Sequence, residues 1–452
     1  MKKQWFQKTV ACTLAFLIAF GLVQTPQSAS AEDALNINAQ AAILIDAETG
    51  KVLYEKNSET ALGIASMTKM MTEFLLLEAV DQGRVSWDQK YFVSDYVYKI
   101  SQDTSLSNVP LKADGQYSIQ ELYEAMAIYS ANGATIAIAE TIAGTEANFV
   151  KMMNDKAKEL GLENYQFVNS TGLNNADLYG MHPETTGATE ENIMSAKSTA
   201  TLAYELIKKY PEVLETSSIE KKVFREGIED EETNMENWNW MLPQLVFKYE
   251  GMDGLKTGTT DFAGYCFTGT AERNGMRFIT VVMDAKTETG AGSYKSRFDE
   301  TRKMMDFAFS NYSLEEIVPA NYKVEKQENV PVIKGKEDEV AISSDAPISV
   351  MIRNGEQDNY KPVFTPSGDS LTEDGELEAP IKKGQVVGTL TVKYDGDDYG
   401  YVNSKAKKKI SVDMVTEDSV EKANWFVLSL RAIGGFFADI WNSVVSGIKG
   451  LF

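Results

Sequence analysis

The chain has 452 residues, a formal charge of −22 at neutral pH and 43% hydrophobic residues. The hydrophobic fraction is high enough for packed cores and excludes a chain that is disordered throughout. A surface this acidic repels phosphate backbones, so a nucleic-acid-binding function is disfavoured. The length allows two ordinary domains with terminal extensions.

The first 31 residues have the three-part pattern of a secretory signal. A basic start precedes an apolar run over residues 10–23, and the small residues Ala29-Ser30-Ala31 follow. The apolar run is shorter than the roughly 20 residues that a membrane-spanning helix needs. We therefore expect residues 1–31 to be a cleaved signal peptide and the mature chain to be exported.

Cysteine and histidine are too scarce for several kinds of site. Cys12 belongs to the signal, so Cys266 remains alone and no intrachain disulfide is expected. We interpret Cys266 as a small buried hydrophobic residue. His182 is the single histidine, which leaves a zinc site or a Ser-His-Asp triad with too few residues. No metal or organic cofactor is implied.

The hydrophobic pattern over residues 41–284 switches between strand and helix. Two strands flank a Glu48-Thr49-Gly50 turn, and a second hairpin turns at Asn274-Gly275. Between the hairpins the spacing is helical, and Ser118 with Glu121 forms a capping box. The predicted helices cover residues 67–79, 118–129, 135–143, 146–160 and 198–209. Strands at both ends with helices between them predict an α+β fold rather than a parallel doubly wound sheet.

The C-terminal part of the chain has a different character. Residues 323–415 contain short β-rich runs separated by Gly, Asp and Pro, which predicts a small β-sandwich without catalytic motifs. Residues 424–452 are amphipathic, with Arg431, Asp439 and Lys449 opposite an aromatic-rich face. A spanning helix would bury these charges, so we expect a helix that lies on the outer face of the cytoplasmic membrane. A terminal helix packed on the protein's own core is the alternative.

Ser66 and Lys69 form the first candidate catalytic pair. Ser66-Met67-Thr68-Lys69 opens a strongly apolar helix, and residues three apart lie on one helical face. Burial of the lysine would lower its pKa, because desolvation disfavours the ammonium. A neutral Lys69 can then take the proton of the Ser66 hydroxyl. Other Ser-x-x-Lys sequences occur in this chain, but only this one precedes a long apolar helix.

Two further motifs each occur once. Ser130-Ala131-Asn132 ends the capped helix, where a second hydroxyl can relay a proton and an amide can bind a peptide group. The sequence from Lys256 to Thr259 (Lys-Thr-Gly-Thr) begins the second hairpin and offers a cation and two hydroxyls to a carboxylate. We expect Gly258 to let a substrate backbone approach closely. The Thr259 N–H is a candidate partner of the Ser66 N–H in an oxyanion hole. Taken singly, these segments are also compatible with an ordinary loop and an edge strand.

The order Ser-x-x-Lys, Ser-x-Asn, Lys-Thr-Gly is typical of penicillin-binding proteins and serine β-lactamases. The whole mature chain resembles D-alanyl-D-alanine carboxypeptidases of the DacA type, low-molecular-mass penicillin-binding proteins, in the form found in Bacillus-like bacteria. The segments that carry the resemblance are residues 64–73, 129–140, 167–173, 252–258, 267–282 and 424–437.

The resemblance implies a domain order and an activity. It implies a transpeptidase-like catalytic domain over residues 32–322, with an antiparallel sheet and helices as in β-lactamases. A β-rich domain (323–415) and a membrane-anchor helix (416–452) would follow. The implied activity removes the terminal D-alanine from peptidoglycan pentapeptide stems through an acyl-enzyme, and the same serine would bind β-lactams covalently.

The resemblance also implies a role for each matching residue. Ser66 would be the nucleophile, Lys69 its base and Ser130 the proton relay. Asn132 would contact the substrate amide. The residues expected to hold the terminal carboxylate are Lys256, Thr257, Gly258, Thr259 and Arg297. Ser198 stands where relatives usually carry Asp, a residue that supports the active site in the family, so this substitution puts rate or substrate preference in doubt.

Two alternative functions stay open at this point. A serine β-lactamase would need a further glutamate to activate the deacylating water, and no convincing Glu-x-x-x-Asn element lies between Ser130 and Lys256. A membrane-tethered wall-binding protein with a silent catalytic domain is the other alternative. An endopeptidase side activity on cross-links is chemically close to the carboxypeptidase reaction.

Overall fold

The computed structural model describes residues 35–396, 399–403 and 411–429. The contacts divide the chain into residues 1–37 and residues 38–452, and the architecture below is that of the second unit. The predicted signal peptide (residues 1–31) and residues 430–452 of the predicted anchor lie outside the described residues. Within the described ranges, every helix is too short or too polar to cross a membrane.

Residues 38–311 contain twelve strands and eight helices. The strands are β1 (Ala39–Asp46), β2 (Val52–Lys56), β3 (Ala61–Gly63), β4 (Lys90–Phe92), β5 (Gln116–Ser118), β6 (Tyr165–Gln166), β7 (Ile193–Ser195), β8 (Lys221–Phe224), β9 (Thr233–Glu236), β10 (Met252–Thr260), β11 (Gly264–Arg273) and β12 (Met276–Ala285). The helices are α1 (Lys69–Asp81), α2 (Asp95–Ser101), α3 (Ile119–Tyr129), α4 (Asn132–Ala143), α5 (Glu146–Leu160), α6 (Ala196–Lys209), α7 (Val213–Ser217) and α8 (Tyr294–Asn311). Short 3₁₀ turns cover Ala65–Thr68 and Asn175–Leu178.

The central sheet joins the two ends of this region. Its order is β10-β11-β12-β1-β2, and its pairs are antiparallel. The first strand pairs with the last, with Ile43 opposite Val281 and Ile45 opposite Ile279. These four side chains belong to one buried core with α1, α5 and α6. The predicted α+β class and the antiparallel sheet are therefore confirmed.

Local signals placed most of the elements correctly. The capping box of Ser118 and Glu121 is present at the start of α3, and α5 covers the predicted residues 146–160. The predicted hairpin turn is formed by Asn274 and Gly275, both with positive φ, as a tight turn between twisted strands requires. The first predicted helix is divided, because a 3₁₀ turn that contains Ser66 precedes α1.

A second, smaller helical core packs beside the first. It includes buried side chains from α1 to α4, from strands β4 and β5 and from connecting loops, together with Phe224 and Met235 of the β8–β9 hairpin. Helix α1 contributes to both cores, because Phe74 and Leu75 face the first and Leu76 and Ala79 face the second. An apolar helix buried on all sides carries the lysine of the first motif.

The C-terminal region is β-rich, as predicted. Its strands are β13 (Tyr312–Val318), β14 (Asn329–Ile333), β15 (Glu339–Ser344), β16 (Ile348–Arg353), β17 (Tyr360–Pro366), β18 (Leu377–Glu378), β19 (Val386–Tyr394) and β20 (Ser411–Thr416), with a 3₁₀ turn at Gln357–Asn359. One sheet has the order β17-β19-β20-β15-β14-β18, and β13 pairs with β16 in a second sheet. Both sheets contribute to one apolar core. Because β13 is part of it, the module extends to Tyr312, on the N-terminal side of the expected boundary at residue 323.

The C-terminal module contacts the central sheet through residues 399–403. The Val52 N–H donates to the Gly400 carbonyl (2.9 Å), and the Val402 N–H donates to the Gly50 carbonyl (2.9 Å). Val402 is buried in the core of the central sheet. The segment thus adds backbone hydrogen bonds to the edge strand β2.

Candidate active site

Ser66 lies in the 3₁₀ turn Ala65–Thr68, directly before α1. Its neighbour Ala65 has a positive φ of 46°, a conformation that residues other than glycine rarely adopt. The turn is held from both sides, because Ala65, Met67 and Thr68 are buried while Ser66 is partly exposed. Such strain persists only where the surroundings enforce it, and it directs this one hydroxyl toward solvent.

The Lys69 amine lies within hydrogen-bond distance of the Ser66 hydroxyl. Nζ and Oγ are 2.9 Å apart, and Nζ also donates to Asn132 Oδ1 (2.8 Å) and to the Thr171 carbonyl (2.7 Å). A neutral amine has two N–H donors, and these two acceptors use both of them. Its lone pair is then left for the Ser66 proton, which is the arrangement that a general base requires.

Burial favours the neutral form of this amine. Lys69 is 1% exposed. Desolvation and, to a lesser extent, the charge of Lys256 lower the pKa of Lys69 well below its ordinary value. The burial that the apolar helix predicts for Lys69 is therefore present. It favours the deprotonated amine that a general base requires.

Asn132 is oriented by a loop from another part of the chain. Its Nδ2 donates to the Ser107 carbonyl (3.1 Å), which turns Oδ1 toward Lys69. The Asn132 N–H donates to the same carbonyl (2.9 Å). The Asn of the second motif thus binds the base directly, a contact that the spacing of the motifs does not predict.

The loop of residues 168–172 supplies the second acceptor for Lys69. Asn169 Oδ1 accepts from the N–H groups of Thr171 (3.1 Å) and Gly172 (2.7 Å). Glu146 accepts from the N–H (2.9 Å) and the hydroxyl (2.6 Å) of Ser170. A Cβ on Gly172, whose φ is +83°, would lie 1.9 Å from the Ala65 carbonyl oxygen. A buried polar network therefore positions the Thr171 carbonyl, and sequence reasoning assigned no role to it.

Ser130 is the residue after α3 and has a left-handed backbone, with φ 61° and ψ 29°. Its hydroxyl is buried and has no hydrogen-bond partner within residues 35–396, 399–403 and 411–429. Buried hydroxyls are normally paired. The strained backbone and the hydroxyl without a partner in those ranges indicate that Ser130 can form a hydrogen bond with a substrate.

The third motif lies on β10, which packs against the serine turn. A Cβ on Gly258 would lie 2.6 Å from the Ile64 carbonyl oxygen and 3.1 Å from the Met67 nitrogen. Glycine is needed there so that the strand can approach the turn that carries Ser66. Gly258 also lines the active-site cleft, and its expected role in letting a substrate backbone approach stays a prediction.

Arg297 of α8 lies behind the exposed end of β10. Its Nη1 donates to the Gly258 carbonyl (3.2 Å) and to Thr259 Oγ1 (2.9 Å). Its Nε is buried and has no partner in the part of the chain that the structure describes. Burial lowers the pKa of the guanidinium to about 10, which still leaves it charged. Among the described residues, no carboxylate forms an ion pair with Arg297. A buried cation without a counter-charge suits an anionic ligand.

Lys256 is more deeply placed than the rest of its motif. It is 5% exposed, and its Nζ donates to the Thr257 carbonyl (3.1 Å). Burial and the charge of Arg297 lower the pKa of Lys256 to about 7, and Glu73 opposes this shift. Burial raises the pKa of Glu73 to about 7, although Glu73 accepts a hydrogen bond from the Tyr123 hydroxyl (2.8 Å). Glu73, one turn after Lys69 on α1, is a buried acid that sequence reasoning missed.

The motifs meet at a cleft of about 380 Å³. Its lining includes Ser66, Ser130, Asn132, Thr257, Gly258, Thr259 and Arg297. Lys69 and Lys256 lie beneath this surface. The loop of residues 104–107, Leu173, Tyr129, Trp238 and Tyr294 complete the lining. Three of these lining residues are aromatic, Tyr129, Trp238 and Tyr294. The repeated Trp in Asn237-Trp238-Asn239-Trp240 is a sequence signal that could have indicated them.

Ser198 lies outside the active-site cleft. Its hydroxyl donates to the Glu163 carbonyl (2.6 Å) and accepts from the Glu163 N–H (2.8 Å). It lines a different cleft of about 460 Å³, together with Glu59, Lys197 and residues 400–403. The expectation that serine at this position changes rate or substrate preference relative to the family's Asp stays a prediction. The side chain joins the start of α6 to the loop after α5.

The three motifs meet at one cleft, where a lysine whose burial favours the neutral amine lies beside Ser66. This arrangement is typical of a serine acyl-transferase site of the penicillin-binding class. A family model described as D-alanyl-D-alanine carboxypeptidase matches residues 26–287, and one described as penicillin-binding protein 5, C-terminal domain, matches residues 312–422. The chain belongs to the D-alanyl-D-alanine carboxypeptidase family of serine peptidases.

Relatives cover most of the chain. It is 36% identical to the D-alanyl-D-alanine carboxypeptidase DacF of Bacillus subtilis over 79% of this chain and 82% of the relative. It is 29% identical to DacC of Escherichia coli over 96% and 94%. Among solved structures, it is similar to a peptidoglycan synthesis regulatory factor (PBP3) from Streptococcus pneumoniae, with 36% identity and a TM-score of 0.70, over 85% of this chain and 99% of that one.

These comparisons support the carboxypeptidase over both alternatives. Penicillin-binding protein 5 from Haemophilus influenzae matches 85% of this chain and 98% of its own, with 26% identity and a TM-score of 0.62. The transpeptidase-like domain and the β-rich domain are thus shared with proteins of this class. A peptidoglycan substrate and β-lactam binding fit the family, whose members are extracytoplasmic cell-wall enzymes.

Proposed function

We propose that Ser66 is the nucleophile of a D-Ala-D-Ala carboxypeptidase that acts on pentapeptide stems, with Lys69 as its base. The observation that carries the proposal is the 2.9 Å separation of Lys69 Nζ and Ser66 Oγ, with both amine protons accepted elsewhere. The geometry leaves proton transfer from Ser66 as the use for the amine lone pair.

The reaction proceeds in two balanced steps. Ser66 Oγ bonds to the carbonyl carbon of the penultimate D-alanine, and the bond from that carbon to the terminal nitrogen breaks. The serine proton passes to Lys69 and then, through the Ser130 hydroxyl, to the leaving amine. Water then hydrolyses the ester, which restores Ser66 and releases the shortened peptide. The Ser66 and Thr259 N–H groups stabilise the oxyanion in both steps.

The terminal carboxylate binds at the end of β10. Thr257 and Thr259 offer hydroxyls to it, and Arg297 supplies a charge that has no counter-ion among the described residues. Lys256 acts mainly through its charge, which also helps to keep Lys69 neutral. Asn132 Oδ1 accepts from Lys69, so Nδ2 is the atom of the amide that can donate to a substrate carbonyl. That contact would replace the present hydrogen bond from Nδ2 to the Ser107 carbonyl.

The test combines two measurements on the purified mature chain. We expect release of D-alanine from a synthetic pentapeptide stem, and covalent labelling of Ser66 by a tagged penicillin. Ser66→Ala should lose both activities, while Ser218→Ala, in another Ser-x-x-Lys sequence, should keep both. A labelled Ser66→Ala variant would overturn the assignment. Rapid turnover of penicillin would favour the β-lactamase alternative.

We also propose that the mature chain is exported and held on the membrane by residues 424–452. The exposed Trp425 and Phe426 support this anchor, since they are 78% and 57% exposed. Asn424 caps the helix that includes them, because its Oδ1 accepts from the Val427 N–H (2.9 Å). The chain without residues 1–31 should float with phospholipid vesicles, and the same chain ending at Ala423 should not. Equal flotation of both would exclude the anchor.

A further inference from the structure

One side of the catalytic cleft is a row of stacked aromatic rings. The ring of Tyr129 stacks on Trp238 with a centroid distance of 6.3 Å, and Trp238 stacks on Tyr294 at 6.2 Å. All three side chains line the cleft that contains Ser66. We call Tyr129, Trp238 and Tyr294 the aromatic wall.

The two ends of the aromatic wall are next to groups that act on the terminal residue of the substrate. Tyr129 directly precedes Ser130, the proposed donor to the leaving amine. Tyr294 lies one helical turn before Arg297, whose guanidinium carbon is 5.3 Å from the Tyr294 ring centroid. The two ends of the wall therefore adjoin the two groups, Ser130 and Arg297, that we propose to act on the leaving residue.

The wall is also held in place. The Trp238 indole N–H donates to the Tyr129 carbonyl (3.1 Å), at the end of α3. Trp240 packs behind it, with ring centroids 6.2 Å from Trp238 and 5.8 Å from Tyr294. Tyr265 meets the edge of Tyr294 at 5.2 Å. Trp238, with ring neighbours on two sides and a hydrogen bond, is the fixed centre of the wall, whereas Tyr294 is 42% exposed. A larger group cannot be accommodated at Trp238 by a small shift.

From this geometry we propose that the aromatic wall closes the leaving-group side of the cleft and restricts cleavage to one small C-terminal D-amino acid. The inference rests on the proposed function, because Ser130 and Arg297 define where the leaving residue lies. A methyl side chain fits between the wall and β10. A branched side chain, or a residue extended by a further peptide bond as in a cross-link, meets the rings.

The test compares leaving groups in the full mature chain. Two pentapeptide analogues would be used, one ending in D-Ala-D-Ala and one in D-Ala-D-Leu, and kcat/KM would be measured for release of the last residue. In the wild type we expect a strong preference for D-alanine. Trp238→Ala should reduce the preference by about tenfold or more, because room for the larger side chain is created.

A second variant and a matched control separate the wall from general damage. Tyr294→Ala leaves the Trp238 hydrogen bond intact and should reduce the same ratio. Phe247→Leu is the control, because Phe247 packs on Trp240 (6.0 Å) in the same aromatic cluster but does not line the cleft. It should leave the ratio at the wild-type value, and penicillin labelling of each variant reports whether the site has folded.

The outcomes distinguish the two levels of the proposal. A wild type that releases the C-terminal residue from neither peptide contradicts the proposed function, and the assignment of the wall falls with it. A second outcome is a wild type that releases D-alanine, with both wall variants keeping the wild-type ratio of kcat/KM for the two peptides. This outcome would overturn the role of the wall and leave the proposed function standing. Equal loss of both activities in the variants would give the rings a purely structural role and would also overturn it.

Discussion

Gly258 on β10 lies directly against the carbonyl of Ile64, the residue that precedes the serine turn. A Cβ at Gly258 would lie 2.6 Å from that oxygen, closer than packed atoms approach. The absence of a side chain at Gly258 therefore lets β10 pack closely against the turn that carries the nucleophile. We propose that this same strand binds the substrate carboxylate. The distance between attacking oxygen and bound substrate depends on this packing.

Gly258→Ala should displace the serine turn from β10. Because small misplacements of reacting groups are costly, we expect penicillin to acylate Ser66 about a hundredfold more slowly. The acylation rate with a tagged penicillin measures this. Gly368→Ala is the matched control, since a Cβ there meets nothing within 4 Å. Equal rates for the two variants would mean that the turn relaxes without cost.

Asn169→Ala should loosen the loop that positions the Thr171 carbonyl. The variant loses the acceptor for three donors, the N–H and hydroxyl of Thr171 and the N–H of Gly172. We expect the free energy of unfolding to fall by about 3 kcal/mol, and acylation to slow because Lys69 loses a fixed acceptor. Denaturant unfolding and penicillin labelling measure these effects. Asn148→Ala, at an exposed position, should change neither.

Arg297→Gln should separate binding from folding. A neutral side chain removes the proposed partner of the substrate carboxylate, so KM for a D-Ala-D-Ala peptide should rise about a hundredfold. Because the buried charge has no counter-ion among the described residues, its removal should leave the melting temperature unchanged or higher. A fall in melting temperature, with unchanged discrimination between a terminal carboxylate and a terminal amide, would contradict the role.

Glu73→Gln should move the alkaline limit of activity. Lys256 is charged below its pKa of about 7 and neutral above it, and the Glu73 carboxylate raises that pKa. Removing the negative charge lowers the pKa of Lys256, so kcat/KM should begin to fall at a lower pH. Tyr123 would lose the carboxylate partner, while the Arg297 charge that acts on Lys256 and the Glu212 carboxylate near Tyr123 remain.

The pH profile of kcat/KM measures the effect of Glu73→Gln. Glu78→Gln on the same helix is the control, because Glu78 pairs with Lys156 (3.0 Å) and Lys209 (2.9 Å), away from the cleft. It should reduce stability and leave the alkaline limit in place. An alkaline limit that stays fixed in Glu73→Gln would show that Lys256 does not set it.

Local sequence signals were reliable where the interaction is itself local. The capping box of Ser118 and Glu121 joins residues three apart, and the Asn274-Gly275 turn needs only two positive φ angles. The burial of Lys69 followed from the apolar helix around it. The β-rich module was recognised, but β13 was missed because its pairing with β16 joins strands that start 36 residues apart, Tyr312 and Ile348.

Contacts between distant residues were not predictable in the same way. Lys69 and Thr171 are 102 positions apart. The acceptor is a backbone carbonyl, which every residue has, so the residue type gives no indication of it. The resemblance identified Ser198 as a departure from the family's Asp, but its partner, the Glu163 backbone, became visible only in the structure. The reason that Gly258 must be glycine, and the stacking of Trp238 on Tyr294, depend on how elements pack against each other.

The sequence by itself determined the α+β class, the order of three motifs and hence the family, because periodicity and short motifs are written in neighbouring residues. Only the tertiary structure decided which acceptors surround the Lys69 amine, which atoms line the cleft and what limits the size of the cleft. Those properties depend on distances of a few tenths of an ångström between segments far apart in the chain, and such distances arise only when the core packs.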